Sequence, residues 1–140
     1  MTERPEKLSI VVFSGAFDKV HYALVMASAA AAVDTPATLF FTMEACRALV
    51  PDGWKAMPVG EAGATVGQEM DSDFGKKNIG QFEDLLSACA ALGVRFIVCE
   101  MGLKAVGLTK ADLRTDIEID SAGVVTFLND ASPDGLSLFI

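Results

Sequence analysis

Cys99 is the residue of this sequence whose type and place could do covalent chemistry. It closes the apolar run Val94-Arg95-Phe96-Ile97-Val98, and the segment after it, Glu100 to Val106, can form a short helix ended by Gly107. A thiol at such a junction meets the unpaired amide hydrogens and partial positive charge of a helix N-terminus. Both favour the thiolate, which is the reactive form of the side chain. A persulfide is also negative and would be stabilised in the same way. Glu100, the adjacent carboxylate, works against this if it points the same way. The bland alternative is a buried cysteine that packs as a small hydrophobe.

Two other segments are expected to end beside it. Ser14-Gly15-Ala16-Phe17-Asp18-Lys19 follows one apolar run, and Thr42-Met43-Glu44-Ala45-Cys46 follows another. Ligands of open parallel sheets bind outside the carboxyl ends of the strands. The candidate binding residues are therefore Ser14, Gly15, Asp18, Lys19, Thr42, Glu44, Cys46 and Met101. The Ser14-Gly15 turn has backbone amides that can receive an anion, but it is neither GxGxxG nor a P-loop. It also reads as an ordinary turn capped by Ser14. Cys46 could face the same crevice as Cys99. Cys89 shares a helical face with Phe82, Leu85 and Leu86 and reads as core. His21, a lone histidine on a helix, reads as surface or packing.

The elements that must position these residues alternate. Leu8–Phe13, Ala37–Thr42, Val94–Cys99 and Leu136–Ile140 are short apolar runs of strand type. Phe17 to Val33 is an alanine-rich helix with Val20, Leu24, Ala27 and Ala31 at helical spacing. Lys76 to Leu92 reads as one helix capped by Gly93. Met43 to Val50 suits a short helix stopped by Pro51-Asp52-Gly53. Thr109 suits the N-cap of another short turn. Asp116–Asp120 suits an edge strand or a loop, and Ser121 a helix cap through about Asp130. From Pro51 to about Gly75 the pattern dissolves among five glycines, with Met57 and Met70 expected to be exposed. Such a stretch reads as a functional lid or as a disordered or partner-covered excursion. Trp54 reads as an interface anchor or a loop pin. The alternation predicts βαβ units, a parallel sheet covered on both faces and a single domain over 1–140.

Composition narrows the classes. With 19 acidic residues against 11 basic, the formal net charge is −8, which suits nucleic acid poorly. Three cysteines without close pairing do not make a disulfide framework. One histidine, with no CxxC or HExxH, gives no metal site, and no cofactor is called for. The apolar fraction of 51% and the mean hydropathy of +0.39 predict strands buried on both faces and surface left for self-association. No run reaches the roughly 20 apolar residues of a membrane span. The polar amino terminus lacks a signal-peptide core, so a cytoplasmic protein is expected.

Three stretches in order carry a likeness: Ser14-Gly15-Ala16-Phe17-Asp18-Lys19 with its alanine-rich helix, Thr38-Leu39-Phe40-Phe41-Thr42, and Val98-Cys99-Glu100-Met101 through Val106-Gly107-Leu108. The chain resembles the DsrE/DsrF-like sulfur-relay proteins, in particular their small peroxiredoxin-like, DsrE-related branch. It departs from that branch at Gly102 and at Met43-Glu44. The resemblance implies a flavodoxin-like three-layer α/β sandwich with a mostly parallel sheet of about five strands, and a homo-oligomer. It also implies that Cys99 carries sulfur as a persulfide between donor and acceptor proteins. The expected function is thus a sulfur carrier or sulfurtransferase. The alternatives are a non-enzymatic module holding a small anion or nucleotide on the Ser14-Gly15 turn, and an assembly subunit of the same fold.

Overall fold

The computed structural model describes residues 3–140. Five strands form one sheet: β1 (Leu8–Val12), β2 (Ala37–Phe41), β3 (Arg95–Cys99), β4 (Asp120–Ala122) and β5 (Leu136–Phe139). Their order is β4-β3-β2-β1-β5, and every neighbouring pair is parallel. The register sets Phe41 beside Val12 and Val98, and Cys99 beside Ala122. This is the α/β architecture expected of the sequence.

The helices are α1 (Phe17–Ala32), α2 (Gly67–Lys76), α3 (Phe82–Ala91), α4 (Glu100–Ala105) and α5 (Val124–Asp130). Alternate strand residues point to opposite faces. On one face Leu8, Ile10, Val12, Leu39, Phe41, Phe96 and Val98 meet Val20, Leu24 and Ala27 of α1 and Phe82, Leu86 and Cys89 of α3. This is the main core. The other face has a small cluster of its own, Phe40, Ile97, Cys99 and Phe127, with Val11 and Ala122 against it.

The unequal cover follows from handedness. The chain moves from β1 through β2 and β3 to β4, then returns across the sheet to place β5 on the other side of β1. Right-handed crossovers put the helices of opposite journeys on opposite faces. The return journey has a single helix, α5, and it is seven residues long.

Three expectations change. Ser121 is not a helix cap: it lies within β4, and Gly123 is the N-cap of α5. The helix expected over Lys76–Leu92 is shorter: Lys76 closes α2, a turn follows, and only Phe82–Ala91 is helical. Asn78 takes a left-handed backbone at φ 58°, and the Asp71 carboxylate accepts the Phe82 amide at 2.6 Å to start α3 afresh. The Pro51–Gly75 stretch is folded: a 3-10 turn at Gly53–Ala56, a bridge between Pro58 and Val66, and α2. Trp54 is its pin. It stacks on Phe82 with ring centroids 4.9 Å apart and donates Nε1–H to Glu83 at 2.8 Å. Met57 is buried, not exposed, and Met70 packs partly against the core. No helix among the described residues is long and apolar enough to cross a membrane.

Candidate functional site

Cys99 is the last residue of β3 and the N-cap of α4. Its backbone is still extended, while its sulfur already meets the helix: Sγ accepts the Gly102 N–H at 3.3 Å. That contact needs Gly102. A β-carbon there would lie 2.6 Å from both the Met43 amide nitrogen and Thr42 Oγ1. Thr42 and Met43 follow β2, and Met43 turns the chain through a left-handed backbone at φ 51°. The close approach of α4 to this turn brings the Gly102 amide to the thiol. Gly102 was not among the candidate residues. Its signal was there in the sequence, as a glycine three positions after a strand-end cysteine, the N3 position of a helix.

Cys99 is also buried, at 3% exposure. Ala122 borders it within the sheet, and the Phe127 cluster covers its face. Phe127 is the one buried residue of α5 and lies 5.3 Å from the Phe40 ring, centroid to centroid. The far end of α5 is tied down by Asp130. Its carboxylate accepts Thr38 Oγ1 at 2.6 Å, Lys7 Nζ at 2.7 Å and Arg95 Nη1 at 2.9 Å. Burial alone would raise this carboxyl; the hydrogen bonds from Lys7, Thr38 and Arg95 outweigh it and hold it below the usual carboxylate range. Thr38 and Arg95 begin the strands whose later residues, Phe40, Ile97 and Cys99, α5 covers.

The other thiols belong to the other cluster. Cys46, in the 3-10 helix Met43–Leu49, is fully buried and donates to the Phe41 carbonyl at 3.8 Å. Burial, and after it the nearby Cys99, push its pKa to about 12. Cys89 donates to the Leu24 carbonyl at 3.6 Å, and burial pushes it to about 12 as well. Both are packed in the main core.

The remaining candidates separate. Met101 is exposed, two residues beyond the thiol. Glu100 is exposed and lines a shallow crevice of about 500 Å3 with Lys104, Lys110 and Ser121. Thr42 is buried against Gly102. Ser14, Gly15, Asp18, Lys19 and Glu44 come together elsewhere, in a crevice of about 1030 Å3 at the ends of β1 and β5 that Cys99 does not line. Two amides at the start of α1 are occupied. Ala16 N–H goes to Ser14 Oγ at 3.1 Å and Phe17 N–H to the Pro58 carbonyl at 2.8 Å. Asp18 accepts the Gly60 amide at 2.8 Å, and Glu44 pairs with Arg47. His21 is buried between Phe17 and Phe74, its Nε2 2.7 Å from the Gly80 carbonyl. It holds the turn between α2 and α3 against α1. No cluster of three or more metal-ligating side chains occurs among the described residues.

These features define a class: a parallel α/β domain with a thiol at a strand end, held by the first turn of a helix. Comparison with known proteins is specific. The family model described as DsrE/DsrF/DrsH-like matches residues 44–139, and the chain belongs to that family. It is 33% identical over 162 aligned residues to the uncharacterized protein YrkE of Bacillus subtilis (strain 168), covering 100% of both chains. The structure is similar to that of MTH1491, a protein of unknown function from Methanobacterium thermoautotrophicum. There the TM-score is 0.58 at 14% identity, covering 96% of this chain and 98% of that one. The membership points to a role related to sulfur relay.

Proposed function

We propose that the protein is a sulfur carrier that holds sulfane sulfur on Cys99 and passes it to a partner thiol. The observation that carries the reading is the Gly102 N–H aimed at Cys99 Sγ, in a chain of this family. The Cys99 thiolate attacks the outer sulfur of a donor persulfide, R–S–SH. A new S–S bond forms at Cys99 while the donor's S–S bond breaks, and the donor leaves as a thiolate. The Gly102 amide stabilises the negative sulfur before the attack. In the second half the acceptor thiolate attacks the outer sulfur, and Cys99 leaves as the thiolate. No electrons are gained or lost overall, and no metal or cofactor takes part.

The partners are a sulfur donor protein and an acceptor protein. The reading places the protein in the cytoplasm as a homo-oligomer, supported by Val124, Val125 and Leu128 of α5, which are large, apolar and exposed. A clean monomer in light scattering at micromolar concentration would remove that part. The occupied amides and the Asp18 and Glu44 carboxylates give the anion-binding module less support than the carrier.

Mass spectrometry after incubation with a persulfide donor tests the central claim. One added sulfur is expected on the wild type, mapping to Cys99 and absent from Cys99→Ser. An adduct on Cys46 or Cys89, or no adduct, refutes it.

A further inference from the structure

The large crevice is separate from the thiol and sits where the topology asks for a ligand. In open α/β sheets the crevice forms outside the carboxyl ends of the strands, where the strand order reverses. Here the order runs outward from β1 to β4 and then returns to β5, so the reversal lies between β1 and β5. The residues that end those two strands, Phe13 with Ser14 and Phe139 with Ile140, line the crevice. Cys99 ends β3, two strands away, and takes no part in it.

The walls say what kind of molecule fits. Phe13 and Phe139 pack as tilted rings with centroids 5.2 Å apart. Tyr22 of α1 lines it too, as do Ala105 and Val106 at the end of α4. Phe13, Tyr22 and Phe139 are all exposed, Phe139 at 69%, so three aromatic faces meet water around one hollow. The volume of about 1030 Å3 is at the upper end of the roughly 300–1,000 Å3 of small-molecule sites. Asp18, Lys19 and Glu44 border it, with Glu44 paired to Arg47 at 2.6 Å. Asp18 is fixed by the Gly60 amide. The chain around it is acidic, at −8. An anionic ligand meets repulsion here, while a flat apolar molecule gains contact with the rings.

We propose that the crevice between the ends of β1 and β5 is a second site, which binds a flat aromatic small molecule that is neutral or cationic. The site is independent of sulfur chemistry at Cys99. Aromatic contact with Phe13, Phe139 and Tyr22 supplies the affinity, and the Asp18 carboxylate with the acidic chain around it sets the selection against anions.

Nile red, a neutral aromatic dye, serves as the probe, with the anionic dye 1-anilinonaphthalene-8-sulfonate beside it. Saturable binding of one Nile red per chain is expected, at least about tenfold tighter than the anionic dye. Ala105 is exposed, so Ala105→Trp fills the hollow without disturbing the core, and it should weaken Nile red at least about tenfold. Tyr22→Ala, also at an exposed position, should weaken it as well. Cys99→Ser should bind as the wild type does. Equal Nile red affinity in wild type and both crevice variants overturns the proposal, as does tighter binding of the anionic dye. So does an oligomer that must be dissociated by dilution before the dye binds, because the hollow then belongs to a second copy. None of these outcomes alters the sulfur-mass experiment on Cys99.

Discussion

Replacing Asp130 by Asn keeps the shape of the side chain and removes the charge that ties α5 to the sheet. In the wild type one carboxylate oxygen takes Thr38 at 2.6 Å and Lys7 at 2.7 Å, and the other takes Arg95 at 2.9 Å. In the variant one oxygen still accepts Thr38. That oxygen also faces Lys7, so the amide nitrogen faces the Arg95 guanidinium, donor to donor, and Lys7 loses its charged partner. A hydrogen bond to a charged group contributes about 1.5–3 kcal/mol. Arg95 is two-fifths exposed, so its share is screened, while Lys7 is only one-fifth exposed. A loss of about 2–3 kcal/mol is expected. Phe127 is then the only buried anchor of α5. Local opening should therefore rise roughly 30- to 150-fold, since about 1.4 kcal/mol is a factor of ten. The assay is the rate at which a disulfide reagent labels Cys99 in native buffer. Cys46 and Cys89, in the other core, serve as internal references. Faster labelling of Cys99 alone is the expected result. If global stability falls by that amount and Cys99 labelling does not accelerate, α5 opens only with the whole domain and the reasoning fails. Acid gives a second reading. Asp130 has a lowered carboxyl pKa in the fold, so its contribution is complete above its unfolded value near 3.9 and is lost as pH falls through the folded value. The stability gap between wild type and Asp130→Asn should shrink below about pH 4.

Gly102→Ala should cost about 1–3 kcal/mol by overpacking against Met43 and Thr42 and should slow persulfide formation on Cys99; urea unfolding and the sulfur-addition rate measure the two. At pH 8 Cys46 and Cys89, both raised to about 12, should be thiolate in roughly one molecule in 10⁴, so iodoacetamide followed by peptide mapping should find Cys99 modified first. Arg114→Ala removes the guanidinium that bonds Glu83 at 2.6 Å and Asp116 at 2.7 Å. It should cost about 1–2 kcal/mol, read from Trp54 fluorescence in urea. Hydrogen bonding to Arg114 is the main cause that lowers Glu83, so that contribution fades as pH falls below the ordinary glutamate value, and wild type and variant should converge in acid.

Much of this fold could be read directly. The β-branched and aromatic runs ending at Val12, Phe41, Cys99 and Phe139 are strands, and Val20, Leu24 and Ala27 face the core as their spacing predicts. The errors share a cause: the deciding partner is distant in sequence. Asp71 starts α3 from eleven residues away, so a helical pattern across Gly80 reads as continuous. Between Pro51 and Gly75 the glycines hide real packing, because Trp54 and Met57 find their neighbours on α1 and α3. Gly67 is a case in point: a β-carbon there would meet the Trp54 carbonyl at 2.3 Å and the Phe17 ring at 2.7 Å. The place of Cys99 at a strand end was legible from neighbours in sequence. Its burial was not, because α5 reaches that face only through the return of β5 across the sheet. Ser14, Asp18 and Glu44 were grouped correctly with one another, yet the same return draws their crevice toward β5 and away from the thiol.

The packing also sorts the thiols. Cys46 and Cys89 are packed into one cluster and Cys99 into the other. A sulfur atom loaded on Cys99 meets no second thiol in its own cluster. What reaches Cys99 past α5 leaves past α5, to a thiol brought by another molecule: the nearby Cys46 is buried and its thiol pKa is pushed up to about 12, so it is a poor nucleophile toward the cargo.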